Sequence, residues 1–356
     1  MSLERGWAVR TVAIVSLSSG SLGEPELAHE LRLGLARLEG YGLKVKFTDN
    51  ALRGREALRL HPEARAADLL QAFRDPEVDM ILCAIGGDDT YRLLPSLFGH
   101  GELEHAVSGK IFLGFSDTTV NHLMLRKVGL PTFYGQAFLP DVCELDREML
   151  PYTRRYFEEL LRTGTIREIR PSDVWYDART DFSPAAAGTA MPAHPDRGFQ
   201  LLQGAGRFSG EILGGCLDTL YDLFDGGRYP DSPALCREYG LFPPLEDWRG
   251  KILLLETSEE QPTPEKYRRM VEALKGTGVF GVLSGVLVGK PMDEKYSAAY
   301  QRILVETVDD PALPILWNLN VGHATPRCIL PLGIPAEVDA GAQYIRFGGN
   351  QTAPAV

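Results

Sequence analysis

The first half of the chain alternates short apolar runs with amphipathic stretches, and this alternation constrains the fold more than any other feature. The apolar runs have the length of buried strands and cover residues 11–16, 43–47, 80–85 and 110–114. Apolar residues at helical spacing follow them, and helices are predicted at residues 25–38, 62–73 and 118–127. Strands that alternate with helices in this way form a parallel sheet covered by helices. The sequence therefore predicts a doubly wound α/β domain in this half.

The alternation stops between residues 172 and 207, where the run PAAAGTAMPAHPDRG is rich in proline, alanine and glycine. Loops of this length are uncommon inside compact domains, so we predict a linker or a functional crossing segment there. Strand-like and helical runs resume beyond it, and 356 residues are enough for two domains with their own cores. The predicted units are an N-terminal α/β domain at 1–171, the linker at 172–207, a C-terminal domain at 208–347 and a frayed tail at 348–356.

Charge and hydropathy exclude several classes of protein. The chain has 37 basic and 48 acidic side chains, a net charge of −11, and no run of basic residues, which argues against a nucleic-acid partner. No apolar run reaches the ~18 residues that span a bilayer, and the first residues lack the features of a secretory signal. We therefore expect a cytoplasmic protein with neither a nucleic-acid nor a membrane partner.

The cysteines give no sign of a disulfide framework or a zinc site. The chain has five of them, far apart and without a Cys-x-x-Cys pair, namely Cys83, Cys143, Cys216, Cys236 and Cys328. This pattern is typical of reduced and mostly buried thiols. We therefore predict neither disulfides nor a structural metal.

Ser116 is the sharpest candidate for chemistry. It follows a strand-like run that ends at Gly114, and a helix is predicted to begin directly after Asp117. A serine on such a turn has its hydroxyl raised at the carboxyl edge of the sheet, as in a nucleophile elbow. Because serine, aspartate and threonine are also preferred helix N-caps, a capping role for Ser116, Asp117 or Thr118 is the alternative.

Two further candidates lie at the ends of strand-like runs in the second half. Glu256 ends the apolar run ILLL, where a buried carboxylate needs a partner such as a histidine N–H. The alternative is that the strand emerges into solvent there, since the next residues, TSEE, are polar. His323 follows the run PILWNLN in a loop bounded by glycine and proline, and imidazole is the usual general base at neutral pH.

A Gly86-Gly87 turn follows the third strand-like run. Its main-chain N–H groups suit a developing oxyanion or a phosphate equally well, and a tight structural turn is the alternative. The segment GGDDT also resembles a phosphofructokinase loop, which would indicate a phosphotransferase, but no Walker-type loop accompanies it.

The sequence resembles the LD-carboxypeptidase serine peptidases (muramoyltetrapeptide carboxypeptidases), in particular the branch of microcin C immunity proteins. The resemblance covers nearly the whole chain. Its motifs are AIGGDDTYRLLP at 84–95, GFSDTT at 114–119, GLPTFYGQAF at 129–138, GEILGGCLDTL at 210–220, GKILLLETSEE at 250–260 and NVGHATPRCILPLG at 320–333. Several separate motifs in the same order are far more specific than any one of them.

The resemblance implies a fold, an assembly and a set of residue roles. The expected fold is an N-terminal flavodoxin-like or glutamine-amidotransferase-like domain with a smaller C-terminal swivelling β/α domain, in a homodimer. Ser116 would be the nucleophile, Glu256 the residue that orients the histidine, and His323 the general base. The main-chain N–H groups of Gly87 and Asp117 would hold the oxyanion, and no metal or organic cofactor is required.

Substrate binding is less well specified by the resemblance. Cys216 stands where many relatives have asparagine, and residues 88–90, Asp-Asp-Thr, replace the polar residues usual in the immunity branch. Asp88 is a candidate for substrate binding. Trp175 begins the nonperiodic stretch and falls in a segment similar to one that supplies a nucleobase-stacking tryptophan, although it could also be a hydrophobic plug at a domain junction. A basic side chain, Arg92 or Arg327, is expected to meet the charge of the substrate.

These observations lead to one main hypothesis and two alternatives. The main hypothesis is a serine amidohydrolase that acts through an acyl-enzyme on a small peptide-like or peptidyl-nucleotide substrate. The substrate would be a murein tetrapeptide with its L,D-amide, or the aspartyl-nucleotide linkage of a microcin C-like toxin. The alternatives are a phosphotransferase that uses the GGDDT loop and a noncatalytic ligand-binding protein.

Overall fold

The computed structural model describes residues 7–349 and 351–352, which form two large sheets and one two-stranded ribbon. In chain order the strands are β1 (Thr11–Val15), β2 (Lys44–Phe47), β3 (Met80–Cys83), β4 (Ile111–Gly114), β5 (Thr132–Tyr134), β6 (Glu168–Ile169), β7 (Val174–Tyr176), β8 (Ala193–Pro195), β9 (Gln200–Gln203), β10 (Arg207–Cys216), β11 (Ile252–Glu256), β12 (Gly285–Gly289), β13 (Ile315–Leu319), β14 (Leu330–Leu332), β15 (Pro335–Asp339) and β16 (Tyr344–Phe347). The α-helices are α1 (Ala28–Gly40), α2 (Arg55–Leu60), α3 (Pro62–Arg74), α4 (Leu94–Phe98), α5 (Glu102–Ala106), α6 (Thr119–Lys127), α7 (Pro151–Thr163), α8 (Leu217–Asp222), α9 (Ser232–Glu238), α10 (Leu245–Trp248), α11 (Pro264–Gly276) and α12 (Ser297–Val308).

The first sheet has the order β14-β5-β4-β3-β1-β2. Strands β1 to β5 are parallel, so their carboxyl ends lie at one edge of the sheet. All residues of β1, β3 and β4 are buried, as expected for strands covered by helices on both faces. The predicted doubly wound α/β domain is therefore confirmed.

The second sheet has eight strands in the order β6-β16-β15-β10-β11-β12-β13-β9. Strands β10 to β13 are parallel neighbours, whereas β9, β15, β16 and β6 pair antiparallel. The carboxyl end of β11 carries Glu256, and the chain leaves β13 toward His323.

Three strands pair in a sheet that is formed mainly by another predicted segment. Strand β6 precedes the predicted linker and β9 lies within it, yet both belong to the second sheet. Strand β14 comes from the last part of the chain and pairs with β5 of the first sheet. These strands have only two to four residues, too few for a periodic signal in the sequence.

The predicted linker also contains the β7–β8 ribbon, which packs against the loop that carries His323. The main-chain N–H of Tyr176 in β7 donates to the carbonyl of Thr325 over 2.9 Å. This stretch is therefore a crossing segment that reaches the junction of the two sheets.

Buried apolar side chains of the two halves pack together. One cluster contains Phe112 and Leu123 from the first half with Leu213 and Trp248 from the second. All five cysteines are buried, as predicted. None of the helices in the described part of the chain is both long and apolar enough to cross a membrane.

The end of the chain differs from the frayed tail predicted at 348–356. Gln351 is buried, and its side-chain amide exchanges two hydrogen bonds of 2.9 Å with the main chain of Ile166. These bonds anchor the chain at that point. Residues 350 and 353–356 lie outside the described residues.

Candidate active site

Ser116 lies at the sharp turn after β4. It begins a 3-10 turn over Ser116–Thr118 that continues into α6. Its φ is +67°, a left-handed conformation that is uncommon outside glycine and recurs at strained catalytic turns. The hydroxyl of Ser116 is hydrogen-bonded to His323 and not to the N–H groups of the helix. The geometry is that of a raised serine, and the capping alternative does not describe it.

Glu256 and His323 complete a hydrogen-bonded row with Ser116. The Nε2 atom of His323 is 3.0 Å from Ser116 Oγ, and its Nδ1 atom is 2.7 Å from Glu256 Oε2. The main-chain N–H of His323 donates to the same carboxylate oxygen over 3.2 Å. Glu256 is 1% exposed, so the alternative that its strand emerges into solvent there is wrong. The structure brings the three predicted side chains together between the two sheets, in the order that proton transfer from serine requires.

Tyr134 is a fourth member of this site that the sequence analysis did not identify. Its hydroxyl donates to Glu256 Oε1 over 2.6 Å and accepts from the main-chain N–H of Ser116 over 3.2 Å. Because Tyr134 holds one carboxylate oxygen, the other oxygen faces the imidazole. Tyr134 ends β5, the neighbour of β4, and the rule that parallel strands end at one edge could have identified it.

Arg327, predicted as a candidate for binding substrate charge, is buried behind the His323 loop. Its guanidinium donates to the carbonyls of Gly322 and His323, the latter over 3.0 Å. It also donates to Asp141 Oδ1 over 3.0 Å, and Asp141 accepts the main-chain N–H of Ala137. Because Asp141 balances its charge and its donors are engaged, Arg327 fixes the loop that carries His323.

The Gly86-Gly87 turn lies directly against Ser116. A Cβ atom on Gly86 would lie 2.8 Å from Ser116 Oγ and 3.2 Å from the main-chain nitrogen of Asp117. A Cβ atom on Gly87 would lie 2.2 Å from the hydroxyl oxygen of Ser18. Since these distances are too short for a side chain, the turn needs glycine at both positions. The main chain of this turn and that of Asp117 therefore border the serine hydroxyl.

The side chain of Asp117 ties the loops around this turn together. It accepts hydrogen bonds from Ser18 Oγ and Thr90 Oγ1, both 2.6 Å, and from the Thr90 N–H over 3.0 Å. Burial raises the pKa of Asp117 even though these bonds favour its ionised form. Asp89, in the same GGDDT segment, pairs with the fully buried Arg65 at 2.5 Å. Asp89 and Asp117 therefore both have ion-pair or hydrogen-bond partners within the protein.

The remaining three candidates make contacts with other protein groups, and Arg92 donates to the hydroxyl of Tyr91 over 3.2 Å. Asp88 lies 3.1 Å from the hydroxyl of Tyr229 and 3.4 Å from Arg228 Nη1, with its side chain 46% exposed. Trp175, in β7, stacks on the ring of His194 with the centroids 4.3 Å apart. One face of the indole is therefore already covered.

Glu259 contacts the imidazole, although it belongs to the polar run TSEE, which favoured only the alternative that the strand emerges into solvent. Its Oε2 atom is 3.0 Å from His323 Nε2, although the side chain is 66% exposed. Burial alone would lower the pKa of His323, but Glu256 and Glu259 outweigh it and raise that pKa to about 10. The contact lowers the pKa of Glu259 to about 2. Both carboxylates therefore favour the protonated form of the imidazole in this arrangement.

Cys216 adds a thiol next to the same pair. Its Sγ, the Glu256 carboxylate and the His323 imidazole lie within 4.8 Å of one another and could reach one metal ion. However, burial raises the pKa of the Cys216 thiol, and thiolate is the form that binds metals. Glu256 and His323 are also bonded to each other. The cluster is better suited to hydrogen bonding than to metal ligation.

Two family models match the chain. The LD-carboxypeptidase N-terminal domain matches residues 12–135, which include Ser116, and the LD-carboxypeptidase C-terminal domain matches residues 209–338, which include Glu256 and His323. These are the two halves whose sheets meet at the site.

Individual proteins agree with the family models. A putative carboxypeptidase of Vibrio cholerae is 30% identical over 281 residues, 77% of this chain and 76% of the relative. The microcin C7 self-immunity protein MccF of Escherichia coli is 26% identical over 284 residues, 77% of this chain and 75% of the relative. The crystal structure of an MccF-like protein from Streptococcus pneumoniae in complex with AMP has a TM-score of 0.95 and 58% identity, covering 96% of this chain and 99% of that one. The chain therefore belongs to the LD-carboxypeptidase family of serine peptidases and is similar to its MccF-like members.

Proposed function

We propose that this peptidase hydrolyses an amide bond in a small peptide-like substrate, with Ser116 as nucleophile, His323 as general base and Glu256 as the residue that orients His323. The observation that carries the proposal is the row from Ser116 Oγ to His323 Nε2 at 3.0 Å and from His323 Nδ1 to Glu256 at 2.7 Å. The left-handed conformation of Ser116 supports it, because a nucleophile elbow requires such a turn.

In the proposed reaction, Ser116 Oγ attacks the carbonyl carbon while unprotonated Nε2 of His323 accepts the hydroxyl proton. Glu256 stabilises the imidazolium that forms. When the tetrahedral intermediate collapses, Nε2 returns the proton to the leaving nitrogen and an acyl-enzyme remains. Water then attacks the ester with the help of the same groups, which releases the acid and restores Ser116.

The main-chain N–H groups of Gly87 and Asp117 hold the oxyanion in this proposal. The close approach of the Gly86-Gly87 turn and of the Asp117 nitrogen to the Ser116 hydroxyl supports this assignment of the oxyanion donors. Donors of this kind are fixed before the charge develops, and losing one costs about 10²- to 10³-fold in turnover.

The matches to peptidase domains favour hydrolysis over the phosphotransferase alternative. Asp89 of the GGDDT segment pairs with buried Arg65, and the nearby Asp117 accepts a hydrogen bond from Ser18. Both carboxylates therefore already have partners within the protein. A noncatalytic ligand-binding protein would contain a Ser116 that does not react with serine-directed probes.

Two substrate classes fit the proposed chemistry, the L,D-amide of a murein tetrapeptide and an aspartyl-nucleotide linkage. The AMP in the structure of the Streptococcus pneumoniae relative supports the second. The position of Trp175 is consistent with it, because the neighbouring Tyr176 is hydrogen-bonded to the His323 loop at Thr325. We therefore favour the aspartyl-nucleotide, with the murein peptide as the second candidate.

The test incubates the wild type, Ser116→Ala and Ser232→Ala with a murein tetrapeptide and with an aspartyl-adenosine phosphoramidate, and follows the products by mass spectrometry. Ser232 is a buried control whose hydroxyl donates to the carbonyl of Asp222. We expect the wild type and Ser232→Ala to cleave at least one substrate and to react with a fluorophosphonate. Ser116→Ala should lose the labelling and about six orders of magnitude in turnover.

Turnover by folded Ser116→Ala at the wild-type rate would contradict the proposal. Magnesium-dependent phosphate transfer that survives this substitution would support the phosphotransferase instead. Ligand binding without labelling or cleavage by the wild type would indicate a noncatalytic protein.

A further inference from the structure

We propose that Asp196, in the crossing segment of residues 172–207, is a positioning residue for the hydrolytic reaction. It holds the side chain of Asn320, where the loop that carries His323 begins. This inference rests on the proposed function, in which His323 is the general base. It gives the crossing segment a part in the reaction in addition to joining the two halves of the chain.

The His323 loop, residues 320–328, is closed at its base by one main-chain hydrogen bond. The N–H of Cys328 donates to the carbonyl of Asn320 over 2.7 Å, so the loop leaves and re-enters the protein at the same point. His323 follows shortly after Asn320, and its Nε2 atom is 3.0 Å from Ser116 Oγ. A displacement of Asn320 would therefore also move the imidazole relative to the serine.

The side chain of Asn320 is bound by two residues of the crossing segment. Its Nδ2 atom donates to Asp196 Oδ2 over 3.0 Å, and its Oδ1 atom accepts the main-chain N–H of Ser172 over 2.9 Å. Asn320 is buried, so both contacts are shielded from solvent. The place where the His323 loop begins is therefore set by the crossing segment.

Asp196 is itself fixed by contacts to both of its carboxylate oxygens. Its Oδ1 atom accepts from the N–H of Gly198 and from Asn318 Nδ2, both over 2.9 Å. The ammonium group of Lys290 lies 3.6 Å from Oδ2, and both charged side chains are almost completely buried. A buried ion pair contributes little net stability, because desolvation offsets the attraction. The directed contacts of Asp196 are therefore better explained by positioning than by stabilisation.

Asn318 shows that the end of β13 is held in an unusual shape. Its φ is +73°, a left-handed conformation that is uncommon outside glycine and persists where the surroundings impose it. Its Nδ2 atom donates to Asp196 Oδ1 over 2.9 Å and to the carbonyl of Gly198 over 2.8 Å. The crossing segment therefore also fixes the backbone that leads from β13 toward His323.

The crossing segment holds the His323 loop on both sides of the histidine. Asp196 binds Asn320, which precedes His323, and Tyr176 binds the carbonyl of Thr325, which follows it. The imidazole lies between these two points. Since a displacement of about 1 Å at a reacting group is expected to cost about 100-fold in rate, the Asp196 contact should affect turnover directly.

The experiment reverses the hydrogen bond between Asp196 and Asn320. The proteins are the wild type, Asn320→Asp, the swapped variant Asp196→Asn/Asn320→Asp and the control Asn50→Asp. In Asn320→Asp two carboxylates face each other, whereas the swapped variant again places a donor opposite an acceptor and still offers an oxygen to the N–H of Ser172. Asn50 donates to buried Asp68 over 2.7 Å beside β2, the edge strand of the first sheet.

The measurements are kcat and KM for whichever of the two substrates the wild type cleaves, the rate of fluorophosphonate labelling at pH 7, and the unfolding midpoint. We expect Asn320→Asp to lose about 10- to 100-fold in kcat and in labelling rate with KM nearly unchanged, the range for a hydrogen bond to a charged group. The swapped variant should recover most of this loss, and Asn50→Asp should keep the wild-type rates. A merely structural contact would lower the unfolding midpoint without changing kcat of the folded protein.

Wild-type kcat and labelling in folded Asn320→Asp would overturn the role of Asp196 while leaving Ser116 as the nucleophile. A folded swapped variant as slow as Asn320→Asp would overturn it as well. If Asn320→Asp does not fold, Asn320→Ala removes both side-chain contacts without adding a charge, and it should show the same loss of kcat; wild-type kcat there would contradict the inference. A wild type that is neither labelled nor able to cleave either substrate would overturn the proposed function, and the role of Asp196 with it.

Discussion

The hydroxyl of Tyr134 donates a hydrogen bond of 2.6 Å to Oε1 of Glu256, so a residue of the first sheet positions a carboxylate of the second. The opposite oxygen of that carboxylate contacts His323. The orientation of the imidazole therefore depends on a contact between the two halves of the chain.

Replacement of Tyr134 by phenylalanine should lower kcat by about 10- to 100-fold, because a hydrogen bond to a charged group contributes roughly 1.5–3 kcal/mol. Tyr344→Phe is a matched control, since its hydroxyl donates to Glu337 over 2.9 Å in a tyrosine–glutamate pair outside the site. Hydrolysis rates and unfolding midpoints of both variants provide the measurement. Equal rates for Tyr134→Phe and Tyr344→Phe would show that this contact does not support the reaction.

Replacement of Gly86 by alanine should reduce kcat/KM by about 100-fold. The new Cβ would lie 2.6 Å from Ser116 Cβ and 2.8 Å from its Oγ, and a displacement of about 1 Å at a reacting group is expected to cost this much. Gly40→Ala is the control, because a Cβ there would have no neighbour within 4 Å. Wild-type activity in folded Gly86→Ala would contradict the close approach of the turn to Ser116.

Replacement of Trp175 by alanine should raise KM for a nucleotide conjugate about 5- to 100-fold and leave KM for a murein peptide nearly unchanged. The reason is that stacking of a base on an aromatic ring contributes about 1–3 kcal/mol. Trp175→Phe keeps an aromatic face, so its KM for the nucleotide conjugate should lie between that of the wild type and that of Trp175→Ala. If both substrates respond equally to Trp175→Ala, then the indole, which stacks on His194, has only a packing role.

His122 should make the stability of the protein depend on pH. It is buried in hydrogen bonds to Thr132 Oγ1, at 2.7 Å, and to the carbonyl of Gly114, at 3.1 Å. These partners suit a neutral ring with its proton on Nε2. Burial lowers the pKa of His122 from 6.5 to about 4.

Because the unfolded chain binds this proton more readily, the contribution of His122 to stability is present above pH 6.5 and is lost as the pH falls toward 4. The expected loss is about 3 kcal/mol in the free energy of unfolding. Urea unfolding at pH 7 and pH 4.5 should show a smaller loss for His122→Gln than for the wild type. The same loss in both proteins would mean that folding does not lower the pKa of His122.

Local patterns were sufficient to predict the framework of the fold. The apolar run PILWNLN contains β13, and the predicted strand at 11–16 exceeds β1 by one residue, because buried strands are continuous apolar runs. Ser116, Glu256 and His323 could be identified for a related reason. Each is a polar residue at or just beyond the end of such a run, and parallel strands bring those ends to one edge.

The parts that could not be predicted depend on contacts between distant segments. Strand β14 has three residues, and only its pairing with β5 defines it. Glu259 lies in a polar run that looks solvated, and its contact with His323 exists only when β11 and β13 are folded into one sheet. Arg327 was expected in the cleft, but its burial follows from Asp141, 186 residues earlier in the chain.

The pairing of β14 with β5 places a constraint on synthesis. Ser116, the proposed nucleophile, is translated 207 residues before His323, its proposed base. Strand β14, which pairs with β5 in the sheet behind Ser116, comes still later, at residues 330–332. In a ribosome-bound nascent chain that has not yet reached residue 323, Ser116 has no imidazole to activate it. On the proposed mechanism, hydrolysis becomes possible only after the segment that carries His323 has been translated and has folded against Ser116.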